Sequence, residues 1–184
     1  MKYYRVIKLK DGRKCVVRNG EENDAPSVLD NFITTHGQTD YLTSHPEEIK
    51  LTEEKEKEYL KKKADSEREV ELVAEVDGVI VGTAGIDLVG PYEKTRHRAS
   101  FGISIEKSWW GIGIGRALTD ACVECAIEAG YCQLELEVVA DNVRAIGLYK
   151  SVGFIEYGRN PKGFRSRING WQEIVLMRLD LEQK

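Results

Sequence analysis

The sequence predicts an α/β protein of the α+β kind, a single domain built on a mixed, mostly antiparallel sheet covered by helices on both faces. Three observations predict it. The dipeptides Asp77-Gly78 and Asn169-Gly170 each join two strand-like segments, as tight hairpin turns do. The stretch from Ala99 to Val138 reads as strand, glycine-rich turn, helix and strand. The chain has 184 residues, 41% of them hydrophobic, enough to bury one substantial core, and no repeat, low-complexity tract or linker divides it.

In chain order, a first strand falls near Arg13 to Arg18, followed by a helix over Ser27 to Thr35. A charged helix, TEEKEKEYLKKK, comes next with Thr52 as its N-cap; its many charges predict a mainly solvated face. Strands Val70 to Val76 and Val79 to Leu88 flank Asp77-Gly78. Ala99, Phe101, Ile103 and Ile105 alternate with Ser100, Gly102 and Ser104 in the strand that enters the glycine turn. The helix Arg116 to Glu128 stops at Gly130, and Leu134, Leu136 and Val138 alternate with Glu135 and Glu137 in the next strand. Asn142 caps a short helix ending near Gly153, a strand starts at Phe154, and a last hairpin pairs Gly163 to Ile168 with Gln172 to Leu181.

A formal charge of −4 argues against a nucleic-acid or anionic-membrane partner, which would need a concentrated basic face. No signal-like apolar run or membrane-length segment occurs, so a cytoplasmic location is expected. Cys122 and Cys125 share helical spacing with Ala117, Leu118, Ala121 and Ala126, which turns both thiols into the core. With no second such pair, and with His36, His45 and His97 remote in sequence, no metal site is expected.

Gly111, Gly113 and Gly115 lie between a strand and a helix, where bare backbone N–H groups and a helix N-terminus converge. That combination suits a phosphate. A P-loop would need Gly-Lys-Ser/Thr where Gly115 is followed by Arg116 and Ala117, and a dinucleotide fingerprint fails because Arg116 stands at its third glycine.

The run ISIEKSWWGIGIGRAL resembles the signature of the GCN5-related N-acetyltransferase (GNAT) superfamily, Gln/Arg-x-x-Gly-x-Gly/Ala, falling on Trp110, Gly111, Ile112, Gly113, Ile114 and Gly115. Trp110 departs from the usual glutamine or arginine. A second block, LELEVVADNVRAIGLYKSVGF, is similar to the family's strand, Asn-x-x-Ala, Leu-Tyr and Gly-Phe pattern. The resemblance covers roughly residues 70 to 181 of a domain spanning 1–184, and leaves residues 20 to 65 as acceptor-side helices. It implies a splay between the two central strands, acetyl-CoA as co-substrate, an amine as acceptor, no metal, and direct transfer in a ternary complex; it leaves a homodimer open.

By the same resemblance, backbone groups of Ile103 and Ile105 hold the pantetheine arm and the acyl carbonyl, with Gly102 a candidate bulge. Trp110 to Arg116 hold the pyrophosphate, and Asn142 adds an amide contact. Tyr149 is the general acid for the departing thiolate, since a phenol keeps its proton at neutral pH. For the base, Glu137, Asp87, His97 and Glu106 are candidates; Glu137 comes first, on the expectation that partial burial raises its pKa. A non-catalytic acyl-CoA-binding module is the alternative reading. Cys132 receives no catalytic role.

Overall fold

A computed structural model describes residues 1–181. The last three residues of the expected 1–184 domain lie outside the described residues. Among the described residues eight strands form one sheet: β1 (Tyr4–Lys8), β2 (Lys14–Asn19), β3 (Val70–Val76), β4 (Val79–Leu88), β5 (Arg98–Ile105), β6 (Gln133–Val139), β7 (Ile155–Ser166) and β8 (Gly170–Asp180). Their spatial order is β1-β2-β3-β4-β5-β6-β8-β7, and every neighbouring pair is antiparallel except β5 and β6. Four helices complete the fold: α1 (Ala25–Gln38), α2 (Glu53–Asp65), α3 (Ile114–Glu128) and α4 (Val143–Val152). Among the described residues no helix is long and apolar enough to cross a membrane.

The turn residues act as expected. Asp77 and Gly78 take φ values of 52° and 80°, the paired left-handed geometry of a two-residue hairpin. Thr52 caps α2 by accepting a hydrogen bond from the Lys55 N–H at 3.4 Å. Alternation along the strands then sorts side chains between two layers. Leu72, Ile86, Phe101, Leu134 and Met177 join Leu118 and Cys122 of α3 in the main core. On the opposite face Val73 and Ile80 pack with Ala25 and Val28 of α1 and Leu60 of α2. Cys15, Cys122 and Cys125 are buried as thiols.

Several boundaries differ from the sequence reading. β1 precedes the strand expected to be first; Tyr4 is 69% and Val6 49% exposed, so this edge strand lacks a buried apolar face to announce it. Pairing with β2 and a bidentate Arg5–Glu124 bridge to α3 hold it instead. α1 extends beyond 27–35 at both ends, with Pro26 in its first turn. The two segments expected at Phe154 and at 163–168 are parts of one strand, β7, whose register shifts between Asn160 and Phe164 around Pro161, which an edge strand tolerates.

The charged helix is not simply solvated. Glu56, Leu60 and Lys63, one turn apart, are buried against the sheet. Lys63 is 2% exposed, and its ammonium donates to the Ile86 carbonyl at 3.0 Å and pairs with Asp87. A buried cation persists only when paired in this way.

Candidate functional site

The central parallel pair gives the fold its opening. β5 and β6 are in register only at Arg98↔Gln133, Ala99↔Leu134 and Ser100↔Glu135, after which they part. β4 and β5, by contrast, keep an unbroken register from Leu88↔Ala99 to Gly82↔Ile105. Gly102 therefore forms no bulge against β4, and the two strands part by divergence alone. The hydrogen bonds bracketing β5, from Val89 N–H to the Arg98 carbonyl and from Glu106 N–H to the Val81 carbonyl, show that even-numbered residues bond to β4. The backbone groups of Phe101, Ile103 and Ile105 accordingly face the gap.

That gap leads to the glycine turn. Gly111 and Gly113 have φ of 84° and 112°, which L residues rarely adopt, and a Cβ at either would meet nothing within 4 Å. Gly113 is the N-cap of α3, which begins at Ile114, two residues earlier than the start expected at Arg116, and no side chain caps this terminus. The first intrahelical bond runs from Ala117 N–H to the Gly113 carbonyl at 3.1 Å, so the N–H groups of Ile114, Gly115 and Arg116 come before the helical ladder. Uncapped donors, a positive dipole end and open space above two glycines together fit an anion. Gly115 also serves the packing, because a Cβ there would stand 3.3 Å from Leu148 and 3.4 Å from Ile105, and its absence lets α4 close on the end of β5.

The β1–β2 turn braces the cradle, with the Lys10 N–H donating to the Ile112 carbonyl at 3.0 Å and the Arg13 guanidinium 4.2 Å from the Trp109 ring centroid. Beside it opens a cleft of about 490 Å³ whose lining includes Gly113, Lys10, Arg5, Arg116 and Asp120. Arg5 and Arg116 are paired there with Glu124 and Asp120. Trp110 donates its indole N–H to the Ile105 carbonyl at 2.7 Å, clipping the turn to the end of β5. Arg144, at the start of α4, holds its guanidinium 5.0 Å from the Trp110 ring centroid. A cation therefore stands over the residue that replaces the signature's glutamine or arginine. The sequence reading missed Arg144, although its place two residues after Asn142 puts it in the first turn of α4.

Asn142 caps α4, its side-chain oxygen accepting from the Ala145 N–H at 3.2 Å. Tyr149, 7% exposed, lies in an aromatic cluster, 6.0 Å from Phe101 in an edge-to-face contact and 5.8 Å from Phe154. Burial pushes its phenol well above the usual tyrosine pKa. Phe101 belongs to the strand that borders the gap, so the ring stands on the layer shared by α3 and α4.

The four carboxylate and histidine candidates are not brought together. Glu137 is exposed on β6, without the partial burial expected of it. Asp87 is engaged by Lys63, Glu106 accepts from the Asn31 amide at 3.2 Å, and His97 is exposed in the loop before β5. The sequence reading also missed Glu71, which accepts from the Tyr59 hydroxyl at 3.0 Å. A glutamate set in the apolar run VELVAEV, which also holds Glu75, was the only signal for it, and its partners lie on other elements.

Comparisons with known proteins agree with this geometry. The chain is 37% identical over 93 residues to an L-amino acid N-acetyltransferase of Escherichia coli, a match covering 50% of this chain and 57% of that protein. It is 36% identical over 91 residues to an N-alpha-acetyltransferase of Mycobacterium tuberculosis, covering 48% and 53% respectively. The chain thus spans little more than half the length of these curated relatives. A GNAT-family acetyltransferase structure from Streptococcus pneumoniae superimposes with a TM-score of 0.86 at 27% identity, over 91% of this chain and 99% of that one. An acetyltransferase from Salmonella typhimurium, solved with its cofactor acetyl-CoA, shares the fold with a TM-score of 0.82 at 17% identity, over 92% and 95%. Since the acetyltransferase (GNAT) family model matches residues 37–154, more than half of the chain, with strands β3 to β6 and the glycine turn included, the chain belongs to that family.

Proposed function

We propose that the protein is an acetyl-CoA-dependent N-acetyltransferase, moving an acetyl group to a primary amine of a small molecule, peptide or protein by direct transfer in a ternary complex. The observation that carries this reading is the parting of β5 from β6 after Ser100↔Glu135, directly upstream of the uncapped N-terminus of α3. In it, the Ile103 and Ile105 backbone groups align the pantetheine arm and the acyl carbonyl, with fixed N–H dipoles ready for the oxyanion. Residues Trp110 to Arg116 hold the pyrophosphate, and the Asn142 amide, its oxygen spent on the helix cap, keeps N–H donors for the arm. The neutral amine attacks the thioester carbon, the C–S bond breaks as the Tyr149 hydroxyl protonates the thiolate, and the proton lost by the new amide nitrogen restores the tyrosine. Glu137 borders the gap from β6 as a candidate base.

Thiol release from acetyl-CoA, measured against a panel of amines, tests this. Amine-dependent release is expected with at least one amine. Tight acetyl-CoA binding with no release for any amine would instead establish the non-catalytic acyl-CoA-binding module.

Arg144 supplies the cation missing at Trp110. Arg144→Ala is expected to raise KM for acetyl-CoA roughly 10- to 150-fold, the worth of one charge-assisted hydrogen bond, with kcat unchanged. An unaltered KM removes Arg144 from the cofactor site.

A further inference from the structure

On the face of the sheet that carries α1 and α2, two glycines line up in register between a buried carboxylate and the gap. Glu71 on β3 stands opposite Gly85 on β4, and Gly85 stands opposite Gly102 on β5. The Glu71 carboxyl lies on Gly85: a Cβ built there would sit 2.2 Å from its Oε2 and 3.3 Å from its Cδ. A Cβ on Gly102 would meet nothing within 4 Å, and Gly102 is the second residue past the last β5–β6 pair. Two glycines in register thus leave a bare floor from the carboxyl to the splay. Thr83↔Ser104 and Asp87↔Ser100 wall it with polar side chains suited to holding water. At the β5 end of this face, Asn31 of α1 bonds Glu106 while its own carboxamide oxygen, 1% exposed, has no protein partner. That leaves a buried acceptor for water.

We propose that Glu71 takes up the proton released by the acceptor ammonium, through water held in the trough floored by Gly85 and Gly102. This rests on the N-acetyltransferase reading and names a proton acceptor for it. The ammonium N–H bond breaks, its proton passes by way of water to the carboxylate, and the freed lone pair attacks the thioester carbon. The C–S bond then breaks as Tyr149 protonates the sulfur, and the proton still carried by the new amide nitrogen restores the Tyr149 hydroxyl. Glu71 afterwards returns its proton to solvent through the same water.

The surroundings of Glu71 suit this role. Glu71 keeps some exposed surface as a residue, but its carboxyl is enclosed. Burial raises its pKa to about 7, opposed by the Lys63 charge and by hydrogen bonds from Tyr59 and Thr83, and aided by Asp87. From α2, Glu56 also faces this region, its own carboxyl raised by burial. From α1, His36 is lowered by burial, with Nδ1 2.7 Å from the Phe32 carbonyl. Beneath the sheet, Cys122 of α3 is kept as a thiol by burial. A carboxyl raised toward neutrality by burial is suited both to accept a proton and to release it again.

Glu71→Gln is expected to lower kcat roughly 100-fold or more and to abolish the enzyme's acidic limb near pH 7, with acetyl-CoA affinity and the circular-dichroism spectrum retained. Tyr59→Phe, which removes a hydrogen bond that favours the carboxylate, is expected to move that limb to higher pH. A merely structural glutamate would leave the limb where it is in both variants. A limb that survives Glu71→Gln, or one lost in Glu137→Gln instead, overturns the proposal. Absence of thiol release by the unmodified protein with every amine would strike the N-acetyltransferase reading itself, a separate outcome.

Discussion

Replacing Tyr149 by phenylalanine lowers kcat by roughly 10²- to 10⁴-fold while changing KM for acetyl-CoA by no more than a few-fold. The exchange removes one oxygen and keeps the ring, so the edge-to-face contact with Phe101 and the packing on Phe154 survive. Any loss therefore belongs to the hydroxyl. Because burial raises the phenol pKa, Tyr149 stays protonated throughout the range in which acetyl transfer is assayed. The alkaline side of the pH profile should then show no descent from Tyr149 ionisation below about pH 10, its ordinary range. Steady-state kinetics with saturating amine separates the terms. Turnover close to the unmodified enzyme, with weakened cofactor binding, would assign the residue to the pocket wall rather than to proton transfer.

The second large effect is expected at Gly113. Its φ of 112° strains any L residue, so Gly113→Ala costs about 1–2 kcal/mol of stability or more. The added methyl group enters space that is open in the protein and that the proposed pyrophosphate needs. KM for acetyl-CoA should rise roughly 100-fold, equivalent to about 3 kcal/mol of lost binding. Gly130, with φ of 75° beyond the C-terminal end of α3, provides the comparison. Gly130→Ala should lower the melting temperature to a similar degree and leave KM alone. If the two variants show the same KM, strain explains everything and the cradle has no claim on the cofactor.

Short-range signals in the sequence were read well because the physics behind them is local. Asp-Gly at 77–78 needs only its own φ preferences to turn a hairpin, and Thr52 needs only the next turn of chain to cap a helix. The glycine turn belongs with these, since three glycines before an amphipathic segment limit what the backbone there can do. β1 was overlooked because its stability comes from β2 and from Glu124, which lies 119 residues away. The burial of Lys63 went unread for the same reason: its partners, Asp87 and the Ile86 carbonyl, arrive with the sheet. In TEEKEKEYLKKK a lysine destined for burial looks like its solvated neighbours.

Trp110 illustrates how the two levels meet. Taken alone, the indole broke the signature, and no neighbour in sequence offered a remedy. In the fold, the indole clips the turn to the Ile105 carbonyl while a guanidinium from α4 covers its face. A departure at one position is matched by a contact from a residue 34 places further on.

The sequence by itself determined the kind of fold, the place of the glycine turn and the family, because turns, caps and amphipathic periods are encoded within a few residues of one another. Only the tertiary structure decided where β5 leaves β6, and that Gly102 makes no bulge. It alone placed Arg144 over Trp110 and aligned Glu71, Gly85 and Gly102 across three strands. Those arrangements depend on strand register and helix docking, which the summed burial of the whole core sets and which no local spacing records.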